Sequence, residues 1–260
     1  MSKVLIIGDS CKDVFIYGEI NRLTPEAPVP VFNPIRETYN DGMAKNVANN
    51  VESFGVEIFT ITNPNSIKKV RYVDKKSNQL VLRVDEHDFC DQIKSDILHS
   101  IKNNKAKVWG GENTKFDAII ISDYRKGFLE EDDIKFICEN NGNVFVDTKK
   151  KLGKWLNSAS YIKINDLEYK NSFDTIGDVL KDRLIITQGK NGCIYNDEVF
   201  PVEEVAVKDV SGAGDTFLAA LAVKYVKSND IKESIKFAQK CATLVVQQHG
   251  VATVDLEDIV

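Results

Sequence analysis

Asp209-Val210-Ser211-Gly212-Ala213-Gly214-Asp215-Thr216, running straight into Phe217-Leu218-Ala219-Ala220-Leu221-Ala222, is the stretch on which the reading of this chain turns. A turn of small residues opening an apolar helix leaves backbone N–H groups without intrahelical acceptors, and the helix dipole adds partial positive charge at that end. Such an end receives phosphate or a developing phosphoryl charge. Gly212 and Gly214 let the main chain approach an anion closely, and Ala213 keeps the turn compact. Asp215 falls in the first helical turn. A carboxylate beside an anion site is electrostatically awkward unless it has a task, such as taking a proton from an attacking hydroxyl. Spacing alone leaves an ordinary N-terminal helix charge equally open.

Outward from that turn, strand-like and helix-like periodicity alternate along the chain, which predicts a mostly parallel sheet wrapped by helices. Strands are expected at Val4–Ile7, Val56–Thr62, Ala118–Ser122, Val144–Asp147, Tyr161–Ile164 and Leu184–Thr187. Helices are expected over Asp41–Phe54, around Ile93, Ile97 and Ile101, around Ile134, Ile137 and Cys138, and over Asp215–Val226 and Ile231–Gln247. Two stretches break the rhythm. Residues 25–34 hold Pro25, Pro28, Pro30 and Pro34, so they suit an edge strand or an extended arm and not a central strand. Lys69–Asp74 and Gln79–Asp85, joined by a turn at Lys75–Asn78, read as a hairpin whose second strand is half-buried. The expectation is one domain over 1–260, with a small β-sheet lid built from about 12–40 and 67–86.

Composition narrows the function. The 260 residues carry 34 basic and 39 acidic side chains, a net charge of −5 without a basic block, which disfavours a nucleic-acid partner. The apolar run Leu218–Val223 falls far short of the ~20 residues that cross a bilayer. Met1–Gly8 has the layout of a first core strand and not of a cleavable signal, so a cytoplasmic protein is expected. Cys11, Cys90, Cys138, Cys193 and Cys241 are odd in number and widely spaced, and His87, His99 and His249 share no ligand-like spacing. A zinc site or disulfide framework is disfavoured. No Gly-x-Gly-x-x-Gly follows the first strand, which removes a dinucleotide-binding oxidoreductase.

The Ser-Gly-Ala-Gly-Asp order, with Gly42 and Asn46 on an early helix, resembles the ribokinase-like (PfkB) family of sugar kinases. The arm Pro25-Glu26-Ala27-Pro28-Val29-Pro30-Val31 resembles the kinase domain of the bacterial heptose-7-phosphate kinase/adenylyltransferases. Gln79–Asp85, Ser122–Gly127, Asp147–Lys149 and Asn165–Glu168 follow in the same order, so the likeness runs from about residue 3 to 255. It implies a ribokinase-like three-layer α/β/α domain that uses ATP and Mg²⁺, with a monovalent cation left open. Asp215 would be the base, with the amides of Gly212, Ala213 and Gly214 stabilising the transferring group. Asn165 and Glu168 would organise Mg²⁺ through water. Thr187, Gly189, Gly192 and Ser211, with Asn165, would meet ATP.

Asp9, Asp13, Gly42 and Asn46 fall where relatives bind sugar, and Asp123, at a strand end before Tyr124, is a further candidate to hydrogen-bond substrate or to order Lys126. Lys126, Arg71 and Arg83 are the candidate cations for a sugar phosphate. The implied reaction phosphorylates the anomeric hydroxyl of D-glycero-D-manno-heptose 7-phosphate, in a homodimer paired through the lid. A kinase for another sugar, sugar phosphate or nucleoside, or a retired binding protein, are the alternatives. Three departures stand out: Gly42-Met43 replaces the family's Gly-Gly pair, the 61–69 segment is short, and no His-x-Gly-His adenylyltransferase element occurs. Only a kinase step is therefore expected.

Overall fold

The computed structural model describes residues 2–64, 67–107, 113–248 and 250–254. Positions 65–66 of the short segment, His249 and residues 255–260 lie outside the described residues. In chain order the elements are β1 (Lys3–Gly8), β2 (Ser10–Leu23), β3 (Pro30–Met43), α1 (Ala44–Ser53) and β4 (Glu57–Thr62). Then come β5 (Ile67–Asp74), β6 (Leu80–Glu86), α2 (Ser95–Ser100), β7 (Lys105–Lys107), β8 (Asn113–Lys115) and β9 (Ala118–Asp123). The remainder is α3 (Glu131–Asn140), β10 (Val144–Thr148), β11 (Tyr161–Asn165), α4 (Asp166–Ser172), α5 (Asp178–Lys181) and β12 (Leu184–Thr187). It ends with β13 (Cys193–Tyr195), β14 (Glu198–Phe200), α6 (Ala213–Ser228) and α7 (Ile231–Val245).

Eight strands form the central sheet in the order β14-β13-β12-β11-β10-β9-β1-β4. From β12 to β4 every pairing is parallel, and β13 and β14 close one edge antiparallel. A parallel sheet must be covered on both faces, which is why its strands read as unbroken apolar runs. Val4, Ile6, Ile120 and Phe145 face a layer built from α1, α6 and α7, while Leu5, Ile7, Ile119, Ile121 and Val146 face Ile134 and Ile137 of α3. Residues Asp215 to Val223 of α6 are all buried between the sheet, α1 and α7. The strand ends at Gly8, Asp123, Thr148, Asn165 and Thr187 share one edge, where ligands of open α/β sheets gather.

A second sheet of four strands, in the order β3-β2-β5-β6, leaves the chain at that same edge. Only Asp9 separates β1 from β2, and β3 ends directly at α1. Pro30 and Pro34 lie in β3, an edge strand, where missing amide donors cost no ladder bond. β2 and β3 are each 14 residues long and extend well past any alternating pattern in the sequence.

Three expectations are corrected. The early helix starts at Ala44, because Asp41–Met43 still pair with β2. The helix expected around Ile93, Ile97 and Ile101 shrinks to Ser95–Ser100; Ile93 and Ile101 are buried from flanking loops. β6 is not half-buried: Leu80, Leu82 and Val84 are 56, 54 and 38% exposed. Among the described residues all five cysteines are free and buried, no three His, Cys, Asp or Glu side chains form a metal cluster, and no helix is long and apolar enough to cross a membrane.

Candidate active site

Where the second sheet meets the mouth of α6, a cavity of about 190 Å³ opens. Asp13, Asp41, Gly42 and Asn46 border it from one side, Lys69 and Arg71 of β5 from above, and Ser211, Gly212 and Asp215 from the helix mouth. Phe15, Met43, Tyr124 and Val251 complete the wall. Charged groups of both signs with a few apolar surfaces suit a polyhydroxylated, anionic ligand.

Asp215 is 6% exposed, and both its oxygens accept hydrogen bonds. Asn46 Nδ2 donates to Oδ2 at 2.7 Å and the Tyr124 hydroxyl donates to Oδ1 at 2.9 Å. Asn46 is held in turn, since Asn50 Nδ2 donates to the Asn46 carbonyl at 2.8 Å and the Thr216 hydroxyl donates to Asn50 Oδ1 at 2.8 Å. This relay fixes α1 against α6 and aims the carboxylate. Burial raises the Asp215 pKa; the hydrogen bond from Asn46 pulls it back, the nearby Asp147 charge raises it and Tyr124 lowers it. Burial also keeps the Tyr124 hydroxyl protonated, so it remains a donor. Each carboxylate oxygen retains a lone pair for an incoming hydroxyl proton.

The helix mouth presents open amides. Gly212 has φ 82°, a left-handed conformation that favours glycine. Among the described residues the amides of Gly212, Gly214 and Asp215 have no acceptor, whereas Ala213 N–H reaches the Val210 carbonyl at 3.3 Å. The free donors are therefore Gly212, Gly214 and Asp215, and the expected share of Ala213 is corrected, its amide being spent in closing the turn.

A run of contacts links this centre to a second opening. Lys149 Nζ lies 5.3 Å from the Tyr124 ring centroid, 3.4 Å from Asp147 Oδ1 and 2.5 Å from Glu168 Oε1. Glu168 and Asn165 form a reciprocal cap at the start of α4, each accepting from the other's amide. Asn165, Asp166, Leu167, Thr187, Gln188, Gly189 and Asn191 then line an open groove of about 400 Å³. Burial opposes ionisation of Asp147, but Lys163 and Lys149 together hold its carboxyl below the ordinary range. Burial works against the Lys149 charge too, and Asp147 and Glu168 outweigh it, so its pKa is raised. With both Glu168 oxygens engaged, Asn165 and Glu168 fit a hydrated Mg²⁺ held through water and not direct ligation.

The structure brings together Asp13, Gly42, Asn46, Arg71, Ser211, Gly212 and Asp215 at the cavity, and Asn165, Thr187 and Gly189 at the groove. Asp9 does not join them. Its buried carboxylate accepts the amides of Tyr124, Lys126 and Phe128 and pins that loop, and burial raises its pKa against those bonds. Asp123 is likewise consumed, by Lys150 Nζ at 2.9 Å and the Thr148 hydroxyl at 2.5 Å. Lys126 pairs with Asp88 and Arg83 with its neighbour Asp85, and neither borders the cavity. Gly192 serves the fold, because a Cβ there would meet the Phe200 carbonyl oxygen at 2.0 Å. Sequence reasoning missed Lys69, Asp41 and Phe15; the hairpin pattern around Lys69 gave the only signal, in the side chain two positions before Arg71.

The fold and site together are those of a sugar-phosphorylating α/β enzyme, and the comparisons agree. Residues 41–259 match the pfkB family carbohydrate kinases. The chain belongs to that family, and is an ATP-dependent carbohydrate kinase of ribokinase-like fold. It is 30% identical over 304 aligned positions to the bifunctional protein HldE of a Nitratiruptor species, covering 99% of this chain and 64% of that protein. With the bifunctional protein HldE of Helicobacter acinonychis (strain Sheeba) the identity is 29%, covering 100% of this chain and 66% of the relative. The chain thus spans just under two thirds of these relatives, and the alignments exceed its 260 residues because the relatives carry segments it lacks. Thermotoga maritima ribokinase superposes with a TM-score of 0.71 at 15% identity, covering 100% of this chain and 98% of that one. Arabidopsis thaliana ribokinase, complexed with ribose and ATP, gives 0.69 at 15% identity with the same coverage.

Proposed function

We propose that this chain transfers the γ-phosphoryl group of ATP to the anomeric hydroxyl of D-glycero-D-manno-heptose 7-phosphate. The observation that carries the reading is the convergence, in one cavity, of a buried carboxylate, an open amide turn and two cations from the second sheet. The sugar occupies that cavity, with its hydroxyl against Asp215 and its distal phosphate toward Lys69 and Arg71. Arg71 is held by Asp13 at 2.5 Å, whereas Lys69 has no ion pair among the described residues. Lys69 and Arg71 therefore replace Lys126 and Arg83 as the cations proposed for the sugar phosphate. The proline-arm resemblance and the HldE relatives support a heptose phosphate as the sugar.

ATP lies along the groove at Asn165, Thr187 and Gly189, with its γ-phosphate directed to the Gly212–Asp215 amides. Mg²⁺, held through water by Asn165 and Glu168, supplies neutralising charge to the phosphates when bound. Asp215 accepts the hydroxyl proton as the oxygen attacks, and the turn amides take up charge on the transferring group. The second sheet closes over the sugar and excludes water, which would otherwise consume ATP.

A panel of sugars and sugar phosphates incubated with ATP and Mg²⁺, followed by coupled ADP detection and phosphorus NMR, tests the assignment. The expected product is a heptose 1,7-bisphosphate, with Lys69→Ala raising KM for the sugar phosphate at least ~10-fold through loss of a charge-assisted contact. A preference for an unphosphorylated sugar or a nucleoside would overturn it.

A further inference from the structure

Beneath the amide turn lies a charge that the reading above does not use. Lys163 is on β11, two residues before Asn165, and its side chain is 5% exposed. Its Nζ donates to Asp147 Oδ2 at 2.6 Å. A Cβ placed on Gly214 would sit 2.9 Å from that nitrogen, so the ammonium lies directly behind the glycine. With no side chain at 214, the cation and the open face of the turn are separated by the main chain alone.

A buried lysine demands a partner, and Asp147 is only a shared one, since it also faces Lys149. Of the three ammonium N–H groups of Lys163, Asp147 takes one. The positive end of α6 converges on the same spot. Two positive poles stacked on one glycine repel each other while the turn is empty, and both gain when an anion arrives on its open side. The same ammonium also favours the ionised form of Asp215, so its charge is felt at the cavity as well as between β10 and β11.

We propose that Lys163 is an electrostatic positioning residue for phosphoryl transfer, drawing the transferring group onto the Gly212–Asp215 turn from behind Gly214. The proposal rests on the kinase reading of this site. Lys163 does not border the cavity and acts through the turn, so no bond is made or broken at its nitrogen.

The test uses Lys163→Met, which keeps most of the volume without the charge, and Lys163→Met combined with Asp147→Asn, which avoids stranding a buried carboxylate if the single variant fails to fold. Calorimetry measures MgADP affinity with and without aluminium fluoride, a surrogate for the transferring group. The wild-type protein is expected to bind MgADP at least ~10-fold tighter with the fluoride complex, and both variants to keep less than ~2-fold of that gain with MgADP alone bound as before. Turnover should fall ~10–10²-fold with KM for ATP little changed. An undiminished fluoride gain in the double variant, or a raised KM at unchanged kcat, overturns the role of Lys163 and leaves the kinase reading standing. No fluoride gain and no turnover in the wild-type protein overturns that reading, and this proposal with it.

Discussion

At Asp215 the protein sets burial against hydrogen bonding, and the balance decides when the carboxylate can act as a base. Burial raises its pKa, so activity should fail on acidification at a pH above the range of an exposed aspartate. The Asn46 and Tyr124 hydrogen bonds favour the ionised form. Removing either donor raises the pKa further. Asn46→Ala should therefore move the acid limb of the kcat–pH profile upward and lower kcat about 10-fold at neutral pH, the cost of one charge-assisted bond. An unmoved limb would separate Asn46 from the base. Asp215, Asn46, Gly42 and Gly212 were legible as a group because their types are rare in that arrangement, and the fold brings them to one cavity. Asp9 and Asp123 lie away from that cavity, and the sequence could not show it, since an acid at a strand end looks the same whether its oxygens face a ligand, backbone amides as at Asp9, or a lysine and a hydroxyl as at Asp123.

At the level of elements, the junction of β3 and α1 carries the clearest strain. Met43 caps α1 at φ 60°, ψ −132°, a region where a side chain costs about 1–3 kcal/mol, and its side chain is buried. Both Met43→Ala and Met43→Gly remove the packing, but only glycine relaxes the backbone. At an ordinary site glycine is the less stable of the two by about 0.5–1 kcal/mol. Here Met43→Gly should unfold at higher urea concentration than Met43→Ala by about 1 kcal/mol or more, and the opposite order would show the junction to be unstrained. The buried parallel strands were legible as apolar runs. β3 was not, because a strand exposed along most of its length has no periodicity to read, and β2, buried at its start and exposed at its end, shows no sustained alternation either. The Ile93–Ile101 spacing misled for the complementary reason: loop residues can reach the core at helical intervals by chance.

Across the whole molecule, the second sheet is the least covered part of the fold. Leu80, Leu82 and Val84 form an exposed row on β6, an edge strand, and Leu23, Ile35 and Tyr39 are exposed on β2 and β3. An open edge beside apolar surface is a template for another strand. The proposed homodimer pairs these sheets. Sedimentation velocity should find a dimer that Leu80→Glu/Leu82→Glu converts to monomer with the fold intact; a monomeric wild-type protein contradicts the pairing. The sequence pattern of β6 foretold a buried face, and within one chain there is none.

Every part of the account meets at one proton transfer. The most direct test is the rate of ADP formation by Asp215→Asn, with sugar phosphate and MgATP saturating. General bases contribute about 10²–10⁴-fold, so turnover should fall at least ~10²-fold while MgATP still binds, because the substitution leaves the Asn165, Thr187 and Gly189 groove and the turn amides in place. Near wild-type turnover in that variant would contradict the account.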